Sequence, residues 1–252
     1  MKIIKASYEI YTKTSGEDIL KEIEIAARNC YKSEDKIEYI NWLGDIVNTI
    51  EDNQSFLCKS ARPLVKMLIA RKHYAMLEFG GMIHVIFTVD RGVTHELVRH
   101  RHTSFAQEST RYCNYTKGKF DNQVTYIIPS WSTLVESEWT LEQIQSSKPI
   151  SFDHQSLSWL YAMNHAEQSY NKLINDGWTA QQARTVLPNS TKATIHVSCN
   201  IVEWRHIFEQ RTSKAAHPQM REVMIPLLAE FKERYPIVFD DINNTDDTSP
   251  KD

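Results

Sequence analysis

The sequence predicts an α+β fold, and three observations carry that prediction. Long stretches place apolar residues at helical spacing, short β-branched runs lie far apart from one another, and no repeat or low-complexity linker divides the chain. With 252 residues, 41% of them hydrophobic, there is enough chain for one sizeable domain with a real core. We read that domain as residues 1–239. Residues 240–252 carry five aspartates and nothing apolar beyond Ile242, which predicts a disordered acidic tail.

Each element has its own local reason. Lys2–Tyr11 alternates loosely and reads as a strand. Glu17–Cys30 spaces Ile19, Leu20, Ile23, Ala26 and Ala27 as one face of a helix, with Ser15 as its cap. Lys36–Ile50 and Lys59–Arg71 read as further helices, and Met82–Val89 as a buried strand that a helix over Gly92–Arg99 follows. Gln123–Ile128 suits a strand stopped by Pro129. Asp153–Asn175 is a long helix, with Gly177 where a left-handed stop is wanted. Thr179 and Gln182 form a capping box for a short helix reaching Val186. Thr194–Cys199 is a strand, and Asn200 with Glu203 starts a helix to about Gln210. His217–Arg234 closes the fold as a helix that Pro226 makes irregular.

The net charge of −3 argues against a general nucleic-acid binder, which needs a basic excess or a basic face. Four cysteines without a C-x-x-C pair suit reduced thiols in the cytoplasm. Met1–Ile10 has no leader pattern, and no apolar run approaches the roughly 20 residues that span a bilayer.

Against this mildly acidic background, one segment is strongly basic. Residues 99–111 read Arg-His-Arg-His-Thr-Ser-Phe-Ala-Gln-Glu-Ser-Thr-Arg. From Arg91 to Arg111 only Glu96 and Glu108 are acidic, against four arginines and three histidines. Clustered guanidiniums without local carboxylates need a counter-charge from elsewhere, and their rigid fork of donors suits phosphate. Other chemistries fit less well. His95-Glu96 begins like a zinc-binding H-E-x-x-H, but Arg99 holds the fifth place and His100 misses the helix face of His95. Cys113 follows the motif, where Arg111 would favour its thiolate, yet lone cysteines more often pack as small hydrophobes. Ser109 has His100 and His102 nearby as potential bases, but no third member orients them. Surface arginines in scattered salt bridges remain the plainest alternative.

Assembled in order, these residues resemble the flavin-dependent thymidylate synthases of the ThyX family. Its signature is R-H-R with a serine further on, met here by Arg99-His100-Arg101 and Ser109. The likeness extends to Ser104, Gln107, Glu108, Arg111 and Tyr112. It also takes in His73 and Glu78 upstream, and Arg184 with Val186-Leu187-Pro188, Asn200, Arg211 and Ala216 downstream.

The resemblance implies a single domain whose mixed, mostly antiparallel sheet is flanked by long helices. It also implies reductive methylation of dUMP to dTMP. 5,10-Methylenetetrahydrofolate donates the carbon, FAD carries the hydride, NADPH is the reductant, and tetrahydrofolate leaves. It places Glu96, Arg99, Gln107, Glu108, Ser109, Arg111, Arg184 and Arg211 at dUMP. At FAD it places His73, Glu78, Arg99, His100, Arg101, Gln107, Asn200 and His206. Arg211 is the implied catalytic residue: its fixed charge beside the uracil ring favours the deprotonated form and raises electron density at C5. No metal, membrane or nucleic acid is implied, and the family's homotetramer shares its active sites between subunits. Three departures bear on the flavin. Ala106 stands where asparagine is usual, Ala75 replaces a serine or threonine, and Phe79 replaces a histidine. Two rival readings remain: an FAD-binding oxidoreductase acting on another nucleotide, and a nucleic-acid-binding module using the same arginines.

Overall fold

The computed structural model describes residues 1–41, 43–49, 56–146 and 153–243. In chain order the elements are β1 (Lys2–Ile4), β2 (Ser7–Ile10), α1 (Gly16–Tyr31), β3 (Tyr39–Asn41), β4 (Ile46–Val47), β5 (Phe56–Cys58), α2 (Ala61–Ala70), β6 (Met82–Asp90) and α3 (Arg91–Leu97). They continue with β7 (Ser104–Gln107), β8 (Thr125–Ile127), β9 (Ser137–Glu138), α4 (Leu141–Ser146), α5 (His154–Asn175), α6 (Ala180–Ala183), β10 (Lys192–Asn200), α7 (Ile201–Arg211) and α8 (Pro218–Arg234).

Local chemistry sets most boundaries. Ser15 and Asp18 form a reciprocal capping box at the start of α1. Asp153 Oδ1 accepts from the Ser156 amide and starts α5. That helix stops at Gly177, whose φ of 97° is open to glycine at little cost, and the Trp178 amide closes the end on Leu173 O. Thr179 and Gln182 make the expected box for α6, which continues as a 3₁₀ turn over Arg184–Val186.

Two elements differ from the sequence reading. Lys2–Tyr11 is two strands rather than one, and they belong to different sheets: β1 lies between β8 and β9, whereas β2 is at the end of the row β2-β6-β10-β7. Over 36–50 there is no helix among the described residues. A 3₁₀ turn at Glu34–Lys36 leads instead into the antiparallel β4-β3-β5 sheet, with Ile50 outside the described residues. Turn chemistry explains the difference. Asn41 Oδ1 accepts from the amides of Leu43 and Asp45, and Gly44 sits at φ 89°. The chain therefore reverses there, and β-branched Ile40, Ile46 and Val47 pair as strands.

The chain forms two compact units. Unit 1 comprises residues 1–9, 86–101 and 105–197, and unit 2 comprises 10–85, 102–104 and 198–252. The core of unit 1 gathers Ile3, Tyr126, Ile128, Leu160 and Tyr170, and β1 runs parallel to β8 and antiparallel to β9. Glu167 holds the Met1 ammonium at 2.9 Å and accepts from the Val124 amide at 2.8 Å. Unit 2 is centred on the rings of Trp204, Phe208, Phe231, Tyr235 and Phe239, which meet edge-on or tilted at 5.0–6.4 Å. Trp204 Nε1 donates to Ile83 O at 2.9 Å, which satisfies the one polar atom of that buried ring. Ordered chain continues past Phe239. Ile242 is buried and Asp241 pairs with Arg205, so this start of the acidic segment belongs to the fold, while residues 244–252 lie outside the described residues.

Candidate functional site

In unit 1, α3 delivers the basic motif. Asp90 Oδ1 accepts from the Val93 amide at 2.7 Å, and the Arg91 amide donates to Asn189 O at 2.8 Å, so the helix starts at a fixed point. It ends at Leu97, two residues before the expected Arg99. A tight turn follows, with Arg99 N donating to Glu96 O and His100 N to Leu97 O. His100 is buried, Glu96 is half-buried, and Arg99 and Arg101 on either side of His100 are exposed.

Strand alternation then separates two neighbours. The Gln107 amide donates to Thr94 Oγ1 on α3 at 3.1 Å. Glu108, the next residue along, faces the other way. Its carboxylate accepts from Lys192 Nζ at 2.7 Å, from the Thr194 amide at 3.3 Å and from the Tyr115 hydroxyl at 3.4 Å. Glu108 thus lines a cleft of about 270 Å³ together with Lys2, Lys119 and Lys192. These partners make Glu108 the counter-ion of Lys192 in this cleft.

Ser109 opens a turn. Its carbonyl accepts from the amides of Tyr112 and Cys113, and its Oγ accepts from the Arg111 amide at 3.3 Å. The hydroxyl proton is left to donate outward. Two arginines tie this turn to the α6 region: Arg184 Nη1 donates to buried Thr110 Oγ1 at 3.3 Å, and the turn's own Arg111 donates from Nε to Gln181 Oε1 at 3.4 Å. Thr110 and Gln181 carried no signal in the sequence; only the fold brings α6 to the turn. Burial, and then the Glu108 charge, push the Cys113 thiol up, which keeps it protonated and unsuited to nucleophilic attack at neutral pH.

In unit 2, His73 and Glu78 are exposed at the start of and within a 3₁₀ turn over Tyr74–Gly80, and the His73 amide is anchored on Leu68 O at 2.8 Å. Asn200 caps α7, its Oδ1 accepting from the Glu203 amide at 2.9 Å, which leaves the side-chain NH₂ for a ligand. His206 is exposed one turn before Gln210, their Nε2 atoms 3.1 Å apart. Arg211 is half-buried at the last position of the same helix.

Arg205 and the residues around it in unit 2 escaped the sequence reading. Arg205 is 3% exposed, and its guanidinium grips Asp241 with two bonds of 2.7 Å, donates to Val238 O at 2.6 Å and lies 5.2 Å from the Tyr74 ring centre. Those bonds hold the Asp241 carboxyl below its ordinary range. Burial works against the Arg205 charge, but Asp241 outweighs it and raises the guanidinium pKa further. No helix of the described residues is long and apolar enough to cross a membrane.

Comparison with known proteins bears on the family and the fold. Flavin-dependent thymidylate synthase of Corynebacterium aurimucosum is 29% identical over 88% of this chain and 80% of its own length. The Mycobacterium marinum protein of the same name is 29% identical over 93% and 83%. Among solved structures, the UMP/dUMP methylase PolB of Streptomyces cacaoi, bound with 5-Br dUMP, shares the fold with a TM-score of 0.66 and 22% identity over 95% of each chain. Its complex with 5-Br UMP gives a TM-score of 0.65. The family model of thymidylate synthase complementing proteins, Thy1, matches residues 10–237, and this chain belongs to that family.

Proposed function

We propose that this protein methylates dUMP to dTMP as a flavin-dependent thymidylate synthase. 5,10-Methylenetetrahydrofolate donates the carbon, FAD carries the hydride and NADPH supplies it. The observation that carries the reading lies in unit 1. Arg99, Arg101, Arg111 and Arg184 have no carboxylate partner among the described residues; Arg111 belongs to the Ser109–Arg111 turn, and Arg184 reaches that turn at Thr110. Such guanidiniums are built for an anion that the protein itself does not provide. The names of the relatives, and the uracil nucleotide analogues bound by the solved neighbour, support a pyrimidine nucleotide as one such anion.

We assign Glu96, Arg99, Gln107, Glu108, Ser109, Arg111, Arg184 and Arg211 to dUMP. Arg99, His100, Arg101, Gln107, His73, Glu78, Asn200 and His206 go to FAD. The exposed Arg99 and Arg101 fit a diphosphate. The bound flavin would supply hydride transfer, and the protein's own part is placement and charge. Arg211 favours the N3-deprotonated ring. The protein works in the cytoplasm as a homotetramer with shared sites.

The test is dTMP formation from dUMP, methylenetetrahydrofolate and NADPH, with FAD present or withheld, and with UMP as a competing acceptor. Product that needs both FAD and NADPH is expected. Arg211→Ala should still fold and bind FAD but form no dTMP. Methylation of UMP in preference to dUMP, or wild-type turnover by Arg211→Ala, would overturn the substrate or the role respectively.

A further inference from the structure

Between His73 and His206, the two histidines of unit 2 assigned above to the flavin, the chain places a chain of contacts that the reaction does not itself require. Tyr74 follows His73 directly and opens the 3₁₀ turn that carries Glu78. Its ring lines two clefts of unit 2. One, of about 380 Å³, is shared with Lys66, Lys72 and Asp241; the other, of about 260 Å³, is shared with Glu203, Arg205 and His206. Tyr74 is therefore a wall common to both. Beside it, in the second cleft, stands the Arg205 guanidinium, 5.2 Å from the ring centre. Arg205 in turn is held by both oxygens of Asp241 and by Val238 O, while its Nε is buried without an acceptor among the described residues. The guanidinium plane is thus set from the C-terminal side, by a carboxylate 36 residues away in sequence.

We propose that Asp241 is a positioning residue for the flavin end of the site: through Arg205 it fixes the Tyr74 ring, and with it the backbone that presents His73 and the cleft that His206 lines. The inference rests on the flavin reading above. A bidentate carboxylate–guanidinium pair sets orientation as well as distance, and a guanidinium in contact with an aromatic ring passes that orientation on. Without Asp241, Arg205 keeps the Val238 carbonyl and its contact with Tyr74 but loses the two-point grip that fixes its plane, and the ring wall loses its fixed backing. The C-terminal segment thereby takes part in the site through packing, touching neither substrate nor cofactor.

The experiment compares FAD affinity, dUMP affinity and thermal unfolding midpoint in the full-length parent, Asp241→Asn, Asp241→Glu and Tyr74→Leu. Asp241→Asn should weaken FAD about tenfold, as expected for a lost charged hydrogen bond acting on placement, and leave the dUMP dissociation constant within about twofold. Asp241→Glu, which keeps the charge, should recover most of the FAD affinity. Tyr74→Leu should match Asp241→Asn, and combining the two should add little, because both remove the same wall. FAD affinity unchanged in folded Asp241→Asn and Tyr74→Leu would overturn the proposal. So would FAD and dUMP weakening in equal proportion with the unfolding midpoint, since that marks a purely structural role. Should Asp241→Asn fail to fold, Tyr74→Leu and Asp241→Glu decide on the same criteria. A parent that binds dUMP but no FAD would instead sink the flavin reading itself, an outcome separable from the others.

Discussion

Removing the Lys192 ammonium should expose how firmly the Glu108 counter-ion holds the nucleotide turn. Lys192→Met keeps the apolar stem and deletes one charge. The pair is 2.7 Å apart, with side chains 25% and 14% exposed. At about 4 Å between charge centres and an effective dielectric near 20, the gross attraction is about 4 kcal/mol. Desolvation cancels part of it: exposed pairs contribute about 0–1 kcal/mol, whereas breaking a buried pair costs about 3–5 kcal/mol. This pair is mostly but not fully buried, and Glu108 keeps the Thr194 amide and the Tyr115 hydroxyl. We therefore expect a loss of about 2 kcal/mol, read as a fall of about 4–8 °C in the unfolding midpoint for a chain of this size. The Glu108 amide also bonds Thr194 O, and Ser109 comes next, so dUMP affinity should fall about fivefold, or about 1 kcal/mol. Differential scanning calorimetry with a dUMP titration measures both. Adding Glu108→Leu to Lys192→Met should recover at least half of the lost stability, because the uncompensated carboxylate goes with it. The reasoning fails if Lys192→Met unfolds within 1 °C of the parent, or if the double variant is less stable than the single one.

Acid should act on unit 2 through Asp241. Its folded pKa is depressed by Arg205, so its contribution is complete above the unfolded value near 3.9 and fades as pH falls through the folded one. Urea unfolding at pH 7 and pH 3.5 should show a smaller acid loss in Asp241→Asn than in the parent, and equal losses would contradict the pairing. Thiol labelling of the native protein at pH 8 should reach exposed Cys30 first. Burial raises Cys58 and pushes Cys199 up to about 12, so early modification of either, seen by mass spectrometry, would be inconsistent with the packing. Ala75→Ser restores a hydroxyl on the exposed turn after His73 and should tighten FAD by roughly three- to tenfold, the worth of one ordinary hydrogen bond. An unchanged FAD titration would mean that the turn does not face the cofactor.

What the sequence made legible and what it hid have one physical origin. Periodicity and caps are local, and so α1, α5, α6, α7 and β6 fall where Ser15, Asp153, Thr179, Asn200 and the Met82–Val89 run predict. The helix expected over 36–50 failed because Asn41 and Gly44 reverse the chain, a two-residue signal that a helical period conceals. The motif itself was legible as a basic cluster, but its geometry was not. Adjacent residues on a strand point to opposite faces, so Gln107 reaches Thr94 on α3 while Glu108 turns to Lys192 and Tyr115. Arg205 and Asp241 were hidden as well. Each looked ordinary alone, one inside a helix and one in an acidic tail, and only tertiary folding joins them beneath Tyr74. Recognition in this family rests on a short run of neighbours in sequence, whereas the placement of that run depends on partners far from it. The Glu108–Lys192 pair supports the nucleotide turn of unit 1, and on our reading the Asp241–Arg205 pair does the same for the flavin end of unit 2.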